Sequence, residues 1–309
     1  MFFVIDGNHL ACRCWFAKLQ NPLSTSYNKN VGMIYLFVNC LKNLIKEYKQ
    51  YDTNFFVAWD GGGKSKRFEI YPEYKSTRKK LPDEFYEQIC DLTEEILPAM
   101  NIQQFKQKGI EGDDIVGSVV KQARNLKHRA IIYSGDHDFE QLISNSVLIV
   151  KHDKPVDTIK NMEWFKEHYP TLDKPIDLIE LMAITGDGSD DIVGVPKVKD
   201  VTALKIWNAN GKNLQNIIDN CDNLKILDKN GEIVDAKDKL KLSVKENIEV
   251  IKRNKLLVTI DCDLDIEVST EKKECDFEKL EQIFKKLEFN AYLSNFETWK
   301  KALTLVKEK

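Results

Sequence analysis

The first half of the chain alternates short apolar runs with longer amphipathic ones, the mark of βαβ units around a largely parallel sheet. Phe2–Ile5 reads as a buried strand, Val31–Tyr48 has helical periodicity, and Asn54–Trp59 reads as a second strand. A helix is expected over Glu84–Met100, a short strand at Ile102–Phe105, and a helix over Asp113–Leu126 with its apolar face at Ile115, Val119 and Ala123. Ala130–Tyr133 and Val147–Val150 add two strands, and the polar stretch Ala17–Asn30 reads as a loop. From about Pro175 the pattern turns helical: Ile176–Thr185, Val198–Asn208, Leu214–Asn220, Lys239–Asn254, Phe277–Leu287 and Ala291–Lys307. Asn230–Gly231, between Ile226 and Val234, has the composition of a hairpin turn. Leu256–Ile260 reads as one added strand, and the Lys/Glu-rich stretch 271–279 as a solvated loop. The expected class is α/β over residues 1–174, followed by a helical domain over 175–309.

Three of the strands end in acid: FFVID at Asp6, FFVAWD at Asp60, and AIIYSGDHD at Asp136 and Asp138. In an open parallel sheet the carboxyl ends of the strands share the edge at which ligands bind, so these residues should converge. Two further clusters can join them: IEGDD (Glu111, Asp113, Asp114) at a helix start, and GDGSDD (Asp187, Asp190, Asp191) in a Gly-bearing loop. Each cluster alone has a structural explanation, because acids favour helix N-termini and Asp after a strand opens turns. Together on one edge they repel unless cations sit among them. Oxygen ligands without His or Cys suit Mg²⁺ or Mn²⁺, and two such ions about 4 Å apart support phosphodiester hydrolysis. His137 lies between two of these aspartates, but alternation points it the other way, so it reads as a packing residue.

Charge changes this picture only when read locally. The net charge of −3 lacks the basic footprint usual in a nucleic-acid enzyme. The ten clustered carboxylates account for it, and the rest of the chain is net positive. Between Gly63 and Leu81 stand seven Lys/Arg and two acids, with Phe68, Tyr71 and Tyr74 interleaved. Such a run is usually a solvated helix, but directly after Asp60 it also suits phosphate contact and base stacking. GVPKVKDVTALKIW (Gly194–Trp207) reads as a tight turn entering a helix, a place where backbone N–H groups and lysines can meet a phosphate. The scattered cysteines, Cys12 to Cys275, form no CxxC pair and suggest reduced thiols. No run approaches the length of a membrane span, and the start MFFVIDGNHL lacks the basic region of a secretion signal. A cytoplasmic location is expected, in a prokaryotic cell or a phage-infected host.

In order along the chain, these motifs resemble those of the 5′-nucleases: the 5′-nuclease domain of bacterial DNA polymerase I, flap endonucleases and stand-alone phage 5′-exonucleases. VIDGNHLACR resembles the family's opening strand-Asp-Gly motif with its Arg, giving Asp6 and Arg13. WDGGGKSKRFEIYPEYKSTRKKLP is similar to the post-strand Asp and arch, giving Asp60, Arg67, Tyr74, Lys75 and Arg78. EGDD resembles Glu-x-Asp-Asp, SGDHD resembles Asp-x-Asp, and GDGSDDIVGVP resembles Asp-x-x-Asp followed by a helix-hairpin-helix entry. The resemblance implies a PIN-like 5′-nuclease domain over 1–174 with a helical arch at about 61–83, and a helix-hairpin-helix (H2TH-type) motif within 175–309. It implies one metal among Asp6, Asp60, Glu111 and Asp113, with Asp114 and Asp136 close by, and another nearer Asp138, Asp187 and Asp190. Arg13, Lys75 and Arg78 would meet the reacting or adjacent phosphates. Arg67, Tyr74, Lys79 and Lys80 on the arch, and Lys197 and Lys199 at the hairpin, would bind DNA.

Two departures stand out. Asp191 replaces a common Asn and is given no metal. At the hairpin Lys197 and Lys199 replace glycines and Val201 a lysine, so the family's potassium-assisted grip is not carried over. With side chains at 197 and 199, positive φ is expected to be less accessible there.

The implied function is divalent-metal-dependent 5′-3′ exonuclease or flap-endonuclease cleavage of DNA in replication or repair. The substrates would carry a 5′ flap, a nick or a free 5′ end, and RNA primers in RNA–DNA hybrids are further candidates. A monomer is implied, with a replication polymerase or single-strand-binding protein as a candidate partner. Two alternatives remain at this point: a PIN-type ribonuclease, which would not need residues 175–309, and a DNA-junction-binding protein with a dead site. A phosphatase using Asp6 is disfavoured because Asn8 stands where a second Asp is wanted.

Overall fold

The computed structural model describes residues 1–304. Its centre is a six-stranded sheet in the order β3-β2-β1-β4-β5-β6. The strands are β1 (Phe2–Asp6), β2 (Asn54–Trp59), β3 (Gln103–Lys106), β4 (Ala130–Tyr133), β5 (Val147–Lys151) and β6 (Thr158–Lys160). All neighbours pair in parallel except β5–β6, which is antiparallel. β1 is central and buried throughout, which explains why its sequence is apolar without alternation.

The helices follow as α1 (Gly7–Lys18), α2 (Gly32–Tyr48), α3 (Lys66–Ile70), α4 (Asp83–Asp91), α5 (Leu97–Ala99), α6 (Gly112–Asn125), α7 (Met162–His168) and α8 (Leu178–Thr185). After them come α9 (Asp200–Ala209), α10 (Leu214–Asp219), α11 (Asp238–Glu246), α12 (Ile248–Val258), α13 (Phe277–Lys286), α14 (Asn290–Leu293) and α15 (Phe296–Leu303). Two short hairpins pair β7 (Gly186–Asp187) with β8 (Ile192–Val193) and β9 (Lys225–Leu227) with β10 (Ile233–Asp235). The second is the hairpin expected at Asn230–Gly231.

Three large cores and one small cluster around Tyr74 hold these elements. One sheet face packs on α1, α2, α4 and α5, and the other on α6. A third cluster lies within α7–α12. The last helices do not stay with it: Leu280, Phe284, Trp299 and Leu303 return to the first core, against α2 and the sheet.

Several elements differ from the expectation. α1, β6 and α7 were not foreseen, and the helix over 84–100 is interrupted by a wide π turn at Leu92–Ile96. The long helix at 239–254 is two helices meeting at Asn247. Leu256–Ile260 is not a strand, because α12 runs on to Val258 and buries Leu257 and Val258 beside Tyr74. Beyond it, residues 261–276 form neither helix nor strand. Side chains there take the bonds a ladder would supply: Asp114, Ser118 and Gln103 accept the N–H groups of Asp261, Leu264 and Ser269. The expected helix at 291–307 is α14 and α15, with residues 305–307 outside the described residues; the stretch 271–279 enters α13 at Phe277.

Candidate active site

Parallel pairing of β1 with β2 and with β4 brings the expected acids to one edge. Asp6 ends β1 and caps α1, one oxygen accepting the His9 N–H at 2.9 Å and the other the Ser134 hydroxyl at 2.9 Å. Asp60 follows β2 and accepts the Gly112 N–H at 2.6 Å, which ties β2 to the start of α6. Asp136 follows β4 and accepts the Asp138 N–H at 3.0 Å. Asp138, Asp187 and Asp190 each offer an oxygen within 4.8 Å of the others.

The loop bearing Asp187 and Asp190 is fixed by close backbone packing. A Cβ on Gly194 would stand 2.1 Å from the Thr185 carbonyl oxygen, so no other residue fits there unless the loop moves.

Crowding of acids shows in their protonation. Burial, then Asp60 and Asp136, raise the Asp6 carboxyl to about 7 against its His9 and Ser134 bonds. Burial, then Asp136, Asp187 and Asp190, raise Asp138 to about 8. Asp113 also lies well above the usual range, through burial and the charges of Asp6, Asp136 and Asp60, which outweigh Lys75. These groups resist ionising together, so the edge is short of positive charge.

Glu111 is the opposite case. Burial pushes its carboxyl up, but Lys75 and Arg67 outweigh burial and hold it at about 2. Its Oε1 accepts from Ser65 at 2.6 Å and Arg67 at 3.2 Å; its Oε2 accepts from the Tyr74 hydroxyl at 2.9 Å and Lys75 Nζ at 2.5 Å. Lys75 also lies 3.4 Å from Asp190, and Arg78 donates to Asp190 at 2.5 Å. The basic segment is thus drawn across the acid edge.

Several of the expected site residues have protein partners of their own. Arg67, expected to bind DNA, is 8% exposed, forks onto both oxygens of Asp114 at 2.7 Å, and donates to the carbonyls of Leu257 and Thr259. Asp114 is thus paired with Arg67, which also reaches Glu111. Tyr74 is 2% exposed and bridges Glu111 and Asp190, while Phe68 and Tyr71 pack in the same small cluster. Tyr74 is too buried to stack on a base, while Phe68 and Tyr71 are partly exposed. Arg13 bonds the Tyr133 hydroxyl at 3.0 Å, with its guanidinium 5.4 Å from that ring.

The segment expected as a helical arch is helical only at α3, with turns through 72–77 and no regular structure at 78–82. Lys79 and Lys80 are exposed there, Lys80 pairing with Asp83 at 3.0 Å. His137 is not packed: its side chain is 77% exposed and meets buried Glu140 at 2.7 Å. At the hairpin Lys197 and Lys199 are both exposed. Lys197 does adopt positive φ, at 65°, in a turn closed by Val198 N–H to the Val195 carbonyl. Pro196 before it presets that turn, so the side chain does not prevent the conformation.

Sequence reasoning missed the Ser65 and Ser134 hydroxyls and the Asn8 side chain that accepts the Asp60 N–H at 2.9 Å. Each lies within a few residues of an acid, which was the available signal. It also gave Asp191 no partner; both its oxygens bond Thr77.

Residues 1–170 match the family described as 5'-3' exonuclease, N-terminal resolvase-like domain, and residues 173–282 match 5'-3' exonuclease, C-terminal SAM fold. The chain belongs to the 5'-3' exonuclease family. DNA polymerase I of Caldicellulosiruptor bescii is 34% identical over 302 residues, covering 94% of this chain and 33% of that protein. DNA polymerase I of Mycobacterium leprae is 34% identical over 227 residues, covering 73% of this chain and 24% of that protein. The exonuclease-family chain therefore spans a third or less of the length of these relatives. In fold it resembles the bacteriophage T5 flap endonuclease solved with DNA and metal ions, with TM-score 0.65, 20% identity, and coverage of 97% of this chain and 99% of that one. No helix among the described residues is long and apolar enough to cross a membrane.

Proposed function

We propose that the protein hydrolyses phosphodiester bonds of DNA at or near 5′ ends, as a metal-dependent 5′-3′ exonuclease and flap endonuclease. The carrying observation is the edge of carboxylates at the ends of β1, β2 and β4, with Lys75 and Arg78 drawn over it.

The donor set fits hard divalent cations such as Mg²⁺ or Mn²⁺: it is all oxygen, partly buried, and short of positive charge. Asp6, Asp60, Asp113 and Asp136 would hold one ion, and Asp138, Asp187 and Asp190 the other. Glu111, with four donors on its two oxygens, would hold Lys75 in place. Bound divalent ions supply Lewis acidity to the scissile phosphate and its attacking water.

The chain's own cations do the rest. Burial lowers the Lys75 pKa, but Glu111, Asp113 and Asp190 outweigh it and raise it, so Lys75 stays charged and can offset charge on a phosphate oxygen. Arg78, half-exposed, offers its free guanidinium face to the same or the next phosphate. Lys79 and Lys80 would contact phosphates of the 5′ strand, and Lys197 and Lys199 those of the duplex. Arg13, half-buried beside Tyr133, would serve a phosphate only after leaving that hydroxyl. We divide the chain into a nuclease unit, 1–174 completed by α13–α15, and a helical unit over α8–α12.

The family match and the fold likeness to the T5 flap endonuclease support a substrate with a 5′ flap, nick or free end. Incubating the protein with 5′-labelled flap, nicked and RNA-primed duplexes in Mg²⁺ tests this. Metal-dependent release of 5′ products is expected; equal cleavage in EDTA, or none on any substrate, would overturn it.

A further inference from the structure

The loop that carries Asp187 and Asp190 and the segment that carries Lys75 and Arg78 are joined through a residue to which neither motif gives a role. Five consecutive N–H groups in the segment can be followed to their acceptors. Tyr74, Ser76 and Arg78 donate to the carbonyls of Tyr71, Glu73 and Lys75, within the segment. The other two donate outside it. The Lys75 N–H reaches the Asp190 carbonyl at 3.0 Å, and the Thr77 N–H reaches Asp191 Oδ2 at 2.8 Å. The Thr77 hydroxyl adds a bond to Asp191 Oδ1 at 2.8 Å. Asp191 is thus the side chain that grips the turn midway between Lys75 and Arg78.

Its backbone is set for this task. Asp191 takes positive φ, 59°, between buried Asp190 and buried Ile192. Asp tolerates that conformation better than most residues. The carboxylate accepts both Thr77 donors at once, and charge makes such bonds stronger than neutral ones. Lys75 itself stands at φ 54°, so the turn holds a conformation that its own sequence does not favour. After Thr77, residues 78–82 have no regular structure to fix them.

We infer that Asp191 is a positioning residue: its bonds to Thr77 lock the basic segment to the carboxylate loop and so set Lys75 and Arg78 over the acid edge. This rests on the nuclease reading for its consequence in catalysis, but not for the lock itself. Asn at this position can accept the Thr77 N–H through its carbonyl oxygen and donate to the hydroxyl. It should therefore preserve the lock, whereas Ala should not.

Two readouts separate the lock from the activity. The first is the rate of tryptic cleavage after Arg78, Lys79 and Lys80 in EDTA, which needs no catalysis. The second is single-turnover cleavage of a 5′-flap duplex in Mg²⁺, measured beside the Kd for that duplex in Ca²⁺. Asp191→Ala should speed tryptic cleavage and slow single-turnover cleavage, each about tenfold or more, with Kd changed by less than about twofold. Asp191→Asn should stay within about threefold of the original on both counts. Thr77→Ala reaches the lock from the other side should Asp191→Ala fail to fold, and the double variant should be no worse than the worse single one. Unchanged tryptic cleavage in Asp191→Ala and Thr77→Ala would overturn the lock, and a loss appearing wholly in Kd would overturn its positioning of Lys75 and Arg78. An original protein that cleaves no flap would defeat the nuclease reading while the tryptic comparison still decided the lock.

Discussion

At the scale of single residues, the site is a balance between acids that resist ionising and acids held ionised by cations. Asp6 and Asp138 are raised to about 7 and about 8, chiefly by burial. A carboxyl raised in the folded state binds more protons than in the unfolded chain, between its ordinary value near 4 and its folded value. Its contribution to stability is full below about pH 4 and is lost as pH rises through about 8. Glu111, lowered to about 2, works the other way: its contribution is present above its ordinary value of 4.5 and is lost only as pH falls toward 2. In EDTA these raised acids should lower the melting temperature from about pH 5.5 to about pH 8.5, and Mg²⁺ should restore more of it at the higher pH. Calorimetry with and without metal checks this; an Mg²⁺ shift larger at the acid end would contradict it. Arg67 is a separate case. Removing it leaves Asp114 buried without its partner, so Arg67→Ala should cost about 3–5 kcal/mol of folding stability, measured by urea denaturation. A stable variant with weakened DNA binding would return Arg67 to the surface role its motif suggested.

Among elements, the strand ends were legible because buried parallel strands are continuous apolar runs, and an Asp closing such a run marks the edge directly. FFVID, FFVAWD and AIIY needed no further information. α1 was not legible: its buried positions Leu10, Ala11, Cys14 and Trp15 have helical spacing, but exposed Phe16 blurs the stripe. The basic segment misled in another way. Its charge run was real, but Arg67, Tyr74 and Lys75 meet partners more than 30 residues distant, which no local pattern reports. The same partition fixes what mutation should do. Lys79→Ala and Lys80→Ala should weaken DNA binding and lower the salt dependence by about one unit per lost phosphate contact. Lys75→Ala and Arg78→Ala should instead lower single-turnover cleavage, because both lie against the acids. Filter binding across a salt series, alongside rapid-quench kinetics, distinguishes them; four variants that alter affinity alone would place the segment away from the chemistry.

For the whole molecule, the chain closes on itself: α13 and α15 finish the core begun by β1 and α2. Phe284 is fully buried among Phe289, Tyr292, Phe296 and Trp299. Phe284→Ala should cost about 3–5 kcal/mol and destabilise the nuclease unit, although it lies far along the chain from every acid of the site. Denaturation followed by Trp fluorescence reads this, and a loss below about 1 kcal/mol would show that the last helices are an appendage. The sequence pattern assigned these helices to the second domain because order along the chain was the only guide to packing available.

The central claim is that carboxylates from separate strands and the GDGSDD loop act together as a metal-dependent centre for cutting DNA. Its most direct test is cleavage of a 5′-flap duplex by Asp136→Ala and Asp138→Ala in Mg²⁺, with binding of the same duplex measured in Ca²⁺. Cleavage should vanish while binding persists, because these residues hold ions and not bases. Near-original turnover by both variants, or cleavage that continues in EDTA, would contradict it.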